Sequence, residues 1–339
     1  MNKDEIISTL KAVKYSNFDR DIISLGMLKY LKCENNEIDA RIFVGKNTAE
    51  GEKTVEKIKA VLSQKYPSAK ISVSLLAENP DAQAMPQNKD DVLKDVKIKI
   101  AVASGKGGVG KSTVAINLAR AFARIFGSGN VALMDCDLYG PSASLLAGEK
   151  SRLMCSDSGK ILPKLTNGIK MVSMGLLVDD NQALIWRGPM VMSALKQFVN
   201  DVDWGKADAM VLDLPPGTGD AVLSAVQLMK IDGAVVVTTP NELASITALR
   251  GSEIFTKTDI PILGVVENMA YLEMPDGSKN YIFGQSSTAQ KVAAELKSEV
   301  LAEIPIDKSL QNFGENTQSE NSQALFDNIA RAIIAKIKK

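Results

Sequence analysis

The sequence predicts an α/β fold: a doubly wound, mostly parallel sheet preceded by a small α+β domain. From Val96 onward, short continuous apolar runs alternate with helical segments. The runs are Ile98–Ala103, Val131–Met134, Ile169–Met174, Ala209–Leu212, Ala234–Val237, Ile262–Val266 and Leu301–Ile304. Strands buried on both faces of a parallel sheet read this way, and the helices between them return the chain. The first run also opens directly onto a glycine-rich loop that leads into a helix.

Residues 1–78 have a different pattern. Ile6, Ile7, Leu10 and Val13 lie at helical spacing. Ile22 to Tyr30 and Glu37 to Val44 read as strands around the polar turn Glu34-Asn35-Asn36. Thr54 to Leu62 reads as a helix, and Lys70 to Leu75 alternates polar and apolar residues as a strand does. The result is an αββαβ unit. Residues 79–96 carry Pro80, Pro86 and many charges without apolar period, and read as a linker. Residues 97–339 then form the larger domain.

A chain of 339 residues suits about two domains. Acidic and basic residues balance at 40 each, which gives no pull towards nucleic acid or an anionic membrane. No apolar run reaches the roughly 18 residues of a membrane span. Met1 to Glu5 leads into an amphipathic stretch rather than a signal peptide, so a cytoplasmic protein is expected. Three cysteines make no disulfide framework. The absence of histidine excludes Ser-His-Asp hydrolysis, His-ligated zinc and histidine general bases. Catalysis must come from carboxylates, lysines, backbone amides or a metal on oxygen ligands.

The glycine-rich loop is Gly105-Lys106-Gly107-Gly108-Val109-Gly110-Lys111-Ser112, followed by Thr113 and an apolar helix. Strand, G-x-x-x-x-G-K-S, helix is the context that makes this pattern a phosphate-binding loop. Its glycines let the backbone wrap closely around phosphate oxygens, and its amides and the helix N-terminus face negative charge. Lys111 is expected on the β- and γ-phosphates of ATP. Ser112 is expected on magnesium, which prefers hard oxygen ligands. Asp213 ends the run Met210-Val211-Leu212, where a carboxylate can hold a magnesium-bound water. Pro215-Pro216-Gly217-Thr218-Gly219 follows it, and Asp220 reads as a helix N-cap. The guanine-reading string Asn-Lys-x-Asp occurs as Asn88-Lys89-Asp90-Asp91, but before the loop rather than well after it, and is read as chance.

With Lys106 at its second position, the loop resembles that of the deviant Walker A ATPases, the group that includes MinD, ParA and the nitrogenase iron protein. The resemblance implies that Lys106 reaches the phosphates held by a partner subunit, so the protein is expected to be a homodimer. It places Asp135 and Asp137 in a switch segment. Asp137 would orient or deprotonate the attacking water, and Asp135 would support magnesium and the loop. It also implies that Asn268, in Val266-Glu267-Asn268-Met269, reads adenine, with Pro305 and Asp307 flanking the base.

Asp135-Cys136-Asp137-Leu138-Tyr139-Gly140-Pro141-Ser142, Met174-Gly175-Leu176-Leu177, Ile185-Trp186-Arg187-Gly188-Pro189-Met190 and Asp213 to Asp220 resemble the Mrp/ApbC branch of that group. Asp21 to Met27 resembles the MIP18-type domain fused to it. The branch implies iron–sulfur cluster assembly, with a [4Fe–4S] cluster held by a homodimer and passed to apo-proteins. In that branch a Cys-x-x-Cys pair follows the Glu-Asn-Met segment. Here Asn268 to Gly284 contains no cysteine and reads as a polar hairpin around Asp276-Gly277. Cys33, Cys136 and Cys155 are not assigned as cluster ligands. The small domain has Asn17-Phe18 where its relatives carry an Asp-Pro step. A second reading is a MinD- or ParA-like organiser that uses an amphipathic helix over 324–339 to meet a membrane or cargo. The other use of that helix is packing on the domain, with its lysines at the C-terminus.

Overall fold

The computed structural model describes residues 3–15, 21–23, 27–34, 36–44, 48–76, 93–138, 140–177, 188–283, 287–310 and 318–337. The chain divides into two compact units, residues 1–87 and 88–339. Asn17-Phe18, Asn88 to Asp91, Tyr139, Trp186 and Arg187 lie outside the described residues.

The first unit runs α1 (Lys3–Leu10), β1 (Leu28–Glu34), β2 (Glu37–Ile42), α2 (Thr48–Lys65) and β3 (Lys70–Leu75). β1 and β2 pair antiparallel across a turn in which Asn36 is left-handed, with φ 61. β2 and β3 are parallel, so the chain must cross over between them, and α2 makes that crossing. Ile6, Leu10, Ile38, Ala40, Ile42, Ile58 and Leu62 form the core. The first strand begins at Leu28 rather than Ile22. Ile22 is buried in a turn instead, with its amide donating to the Val13 carbonyl at 3.0 Å.

In the second unit the expected linker runs too far. Leu93 and Val96 are buried, and Val96 already opens β4 (Val96–Ser104). The buried Lys99 ammonium donates to the carbonyls of Val96 at 3.0 Å and Leu93 at 3.3 Å, tying this corner to the sheet. Two apolar residues among charges gave no periodic signal. After β4 come α3 (Lys111–Phe126), β5 (Val131–Asp135), α4 (Ala143–Leu146), β6 (Met154–Cys155), β7 (Ile161–Leu162), β8 (Lys164–Thr166) and β9 (Ile169–Val172). Then follow α5 (Gly188–Asn200), β10 (Ala207–Asp213), α6 (Asp220–Leu228), β11 (Gly233–Thr238), α7 (Glu242–Lys257) and β12 (Ile262–Glu267). β13 (Leu272–Glu273), β14 (Lys279–Asn280), α8 (Thr288–Glu295), β15 (Val300–Glu303) and α9 (Glu320–Ile337) complete it.

The main sheet has eight strands in the order β15-β12-β11-β4-β10-β5-β9-β8. All neighbours are parallel except β8, which pairs antiparallel with β9 at one edge. The crossover from β4 to β5 leaves one position between them, and β10 fills it. Along β10, Ala209 and Val211 face a core shared with α3 and α9, while Met210 and Leu212 face a core shared with α5 and α6. That two-sided burial is why the strands read as continuous apolar runs.

Asp220 is the first residue of α6 rather than its cap. Gly219 takes the cap position with extended backbone, so Asp220 acts through its charge near the helix N-terminus. α9 lies along α3 and buries Phe326, Ile329, Ala330 and Ile333, with Arg124 paired to Asp327 at 2.7 Å. Its apolar face is therefore used on the domain. No helix among the described residues is long and apolar enough to cross a membrane. Replacing the fully buried Phe326 by Ala should lower unfolding free energy by about 3–5 kcal/mol in urea titration. A loss below about 1 kcal/mol would show that α9 does not belong to the core.

Candidate nucleotide site

The loop between β4 and α3 is shaped by its glycines. Gly108 and Gly110 have φ of 81 and 83, which L side chains rarely adopt. A Cβ on Gly110 would also lie 2.1 Å from the Asn268 amide nitrogen. Gly110 occupies the N-cap position of α3 and offers no side-chain cap, so the first amides of the helix are left for an anion. The Ser104 hydroxyl donates to the Lys106 carbonyl at 3.0 Å and Gly217 N–H donates to the Ser104 carbonyl at 2.9 Å, which fix the start of the loop. Lys106 itself is half-buried, and its ammonium makes no ion pair among the described residues.

The sheet register places the charged groups together. Asp213 and Asp135 are direct cross-strand partners at the ends of β10 and β5, and Asp213 also lies opposite Val102 of β4. Both carboxylates are fully buried, and Lys111 is 6% exposed. The Lys111 ammonium donates to Asp213 Oδ1 and, at 3.3 Å, to the Ser112 hydroxyl. Asp213 Oδ2 is buried without a hydrogen-bond partner among the described residues. Burial lowers the Lys111 pKa, but Asp213, with smaller help from Asp135 and Asp137, outweighs it and leaves the ammonium raised.

Asp135 has a different environment. Oδ1 accepts from Asp137 N–H at 3.0 Å, and Oδ2 accepts from Ala143 N–H at 3.2 Å and the Ser173 hydroxyl at 2.9 Å. Burial first, then the Asp213 charge, push its carboxyl up to about 7. Asp137 is half-buried and accepts from Gly140 N–H at 3.2 Å. Ser173 was not singled out in the sequence, although it lies in the run Ile169–Met174, just past the strand Ile169–Val172 and at the same strand ends as the two aspartates. That strand-end position was the available signal.

The segments assigned to the base meet at the same edge. The Asn268 amide donates to the Val109 carbonyl at 2.9 Å, so Asn268 braces the loop from behind. Met269 is left-handed with φ 56, and the turn lets Ala270 N–H reach the Ile304 carbonyl at 2.8 Å. Ile306 N–H likewise reaches the Tyr271 carbonyl at 2.7 Å, holding Pro305 and Asp307 beside the Asn268 turn. Asp307 is occupied by hydroxyls: Ser309 at 2.6 Å, Ser319 at 3.2 Å and Ser322 all donate to Oδ2. Partial burial would raise its carboxyl, but the donors from Ser309, Ser322 and Ser319 hold it below the usual range.

The cysteines do not converge on this site. Cys136 is fully buried between the aspartates, and burial pushes its thiol well above the usual range. Cys155 is exposed on β6, and Cys33 is half-buried on β1 in the other unit. β13 and β14 form the hairpin expected around Asp276-Gly277. Gly277 has φ 80, and Ser278 donates N–H and O–H to Asp276 Oδ1 at 2.9 and 2.6 Å. Among the described residues no group of His, Cys, Asp or Glu is placed to hold a metal by itself.

The residues do fit a magnesium nucleotide. A buried carboxylate oxygen without a donor, a hydroxyl beside the lysine and an uncapped helix start converge where phosphate and a hard cation require them. Fold and site thus define a nucleotide-binding P-loop protein. Residues 95–338 match the family model described as the ParA-type NUBPL iron-transfer P-loop NTPase. The chain is 32% identical to an iron–sulfur cluster carrier protein of Helicobacter pylori, across 100% of this chain and 95% of that protein. It is 42% identical to the iron–sulfur cluster transfer protein NUBPL of Mus musculus, across 68% of this chain and 72% of that one. A nucleotide-binding protein of Archaeoglobus fulgidus, solved in complex with ADP, is 36% identical with a TM-score of 0.57, over 70% of this chain and 91% of that chain. The cell division ATPase MinD of Pyrococcus furiosus shares the fold, at 21% identity and a TM-score of 0.52, over 71% of this chain and 100% of that chain. The chain belongs to the NUBPL iron-transfer P-loop NTPase family.

The raised Asp135 carboxyl has a pH signature. The folded state holds this proton more tightly than the unfolded chain, whose ordinary value is 3.8. Its contribution to stability is full below that value and is lost as pH rises to about 7. Without nucleotide, the melting temperature of wild type should fall relative to that of Asp135→Asn between pH 5 and 8. Parallel profiles would show that Asp135 is ionised throughout.

Proposed function

We propose that this chain is a magnesium-dependent ATP hydrolase that works as a homodimer in iron–sulfur cluster assembly or transfer. The observation that carries the reading is the buried Lys111–Asp213 pair with the second Asp213 oxygen unpartnered, at the foot of an uncapped helix. ATP phosphates offer Lys111 a stronger partner than Asp213 and take up the amides from Gly107 to Thr113. Asp213 and Ser112 would hold magnesium, whose charge offsets that building on the phosphates during transfer. Asp135 already accepts from three donors, and in this reading it braces the Asp137 segment rather than meeting the ion directly.

Asp137 orients the attacking water and receives its proton. The water oxygen bonds to the γ-phosphorus as the bond to the β-bridging oxygen breaks, giving ADP and phosphate. Asn268, Pro305 and Asp307 border the base. Lys106 has no ion-pair partner among the described residues of its own chain, which agrees with a role on phosphates held by a second subunit. Asp137→Ala and Lys106→Ala should each lower kcat by at least roughly a hundredfold while nucleotide binding persists. Wild-type turnover in both variants would remove the roles assigned to them.

The cluster is cargo, and this chain is poorly equipped to hold it. The hairpin after Asn268 has no cysteine, and Cys136 is buried. The cluster is then ligated by the client or scaffold, and ATP turnover times its handover. Anaerobic reconstitution with iron and sulfide should leave the protein without cluster absorption or bound iron. Uptake of about four irons per dimer, by metal counting, would show that the chain carries the cluster itself.

A further inference from the structure

The middle of α7 touches the nucleotide loops backbone to backbone. A Cβ on Gly105 would lie 2.0 Å from the Thr247 carbonyl carbon and 2.3 Å from the Ala248 nitrogen. One turn further on, a Cβ on Gly251 would lie 3.2 Å from Gly105 Cα and 3.6 Å from the Gly217 carbonyl oxygen. Gly217 is itself left-handed, with φ 91, and its amide is bonded to Ser104 at 2.9 Å. Three glycines from three segments therefore meet with no side chain between them: the start of the phosphate loop, the loop after Asp213, and α7.

Gly251 is the unexpected member. It lies inside a 16-residue helix, where alanine is favoured over glycine. Its neighbours Ser252 and Phe255 already anchor the helix in the core, so packing of α7 does not require a glycine at 251. What favours it is the closeness of Gly105, with the Gly217 carbonyl in contact beside it. The loop after Asp213 begins one residue beyond the carboxylate assigned to magnesium, and Gly105 begins the loop assigned to phosphate.

We propose that Gly251 is a positioning residue: through it α7 sets the spacing between the phosphate loop and the loop after Asp213, and so sets how the site distinguishes ATP from ADP. The proposal rests on the hydrolysis reading above. A methyl group at 251 pushes Gly105 away by a few tenths of an ångström, and so changes its spacing to the loop after Asp213, without unfolding the helix.

The test compares wild type, Gly251→Ala, Gly251→Val and, as a control on the exposed face of α7, Thr256→Ala. Melting temperature, ADP affinity, affinity for a non-hydrolysable ATP analogue, kcat and KM are measured for each. Gly251→Ala should melt at or above the wild-type temperature and bind ADP within about twofold. Its kcat should fall roughly tenfold, with a lower ratio of ATP-analogue to ADP affinity. Gly251→Val should go further in the same direction, and Thr256→Ala should keep wild-type turnover. Unchanged turnover and an unchanged affinity ratio in Gly251→Ala would overturn the proposal. So would turnover and ADP affinity that fall together with melting temperature, since that marks a merely structural role. A wild-type protein without hydrolysis would instead sink the hydrolase reading, and the affinity ratio would still decide the role of Gly251.

Discussion

The site depends on one buried ion pair, Lys111 on Asp213. Two charges taken out of water are tolerated only because each satisfies the other, and losing one partner of such a pair typically costs about 3–5 kcal/mol. The pair exists because of chain topology. The crossover from β4 to β5 leaves a position that β10 fills, so a carboxylate far along the sequence arrives beside the phosphate loop. The same register puts Asp135 beside Asp213, and the repulsion between them is part of what keeps Asp135 hard to ionise.

From that centre the loops are suspended by backbone contacts. Asp135 gathers the Asp137 segment, the start of α4 and Ser173 onto one carboxylate. Gly217 hangs from Ser104, and Asn268 holds the Val109 carbonyl. These contacts tie together loops that leave the same ends of the strands, so a change of charge at Asp213 reaches several loops without passing through the core. Interiors packed as tightly as these respond by discrete shifts rather than gradual deformation.

Much of this was legible in the sequence, for physical reasons that differ between elements. The parallel strands announced themselves because both faces are buried, and the phosphate loop because its conformation demands glycines at Gly108 and Gly110. The short antiparallel edge strand Lys164–Thr166 was missed, since three residues with an exposed leucine between two half-buried polar ones carry no period. Ser173 and Gly251 were missed because their importance comes from what packs against them. Asp135 and Asp137 were legible as a pair, but the groups that pack against Asp135 were not. The structure adds the three donors that hold Asp135. The linker boundary failed at Leu93 and Val96, whose burial depends on a sheet corner far from them in sequence.

The hairpin from Leu272 to Asn280 closes on an aspartate–glycine turn and a Lys279 ammonium 4.2 Å over the Tyr271 ring, not on sulfur. The nucleotide centre likewise has no solvent-open thiol, since Cys136 is sealed in the core with its proton firmly held. Oxidants that attack thiolates find no target there. The nucleotide centre of this protein is thus insulated from thiol oxidation in a way that an iron–sulfur cluster, wherever it is held, is not.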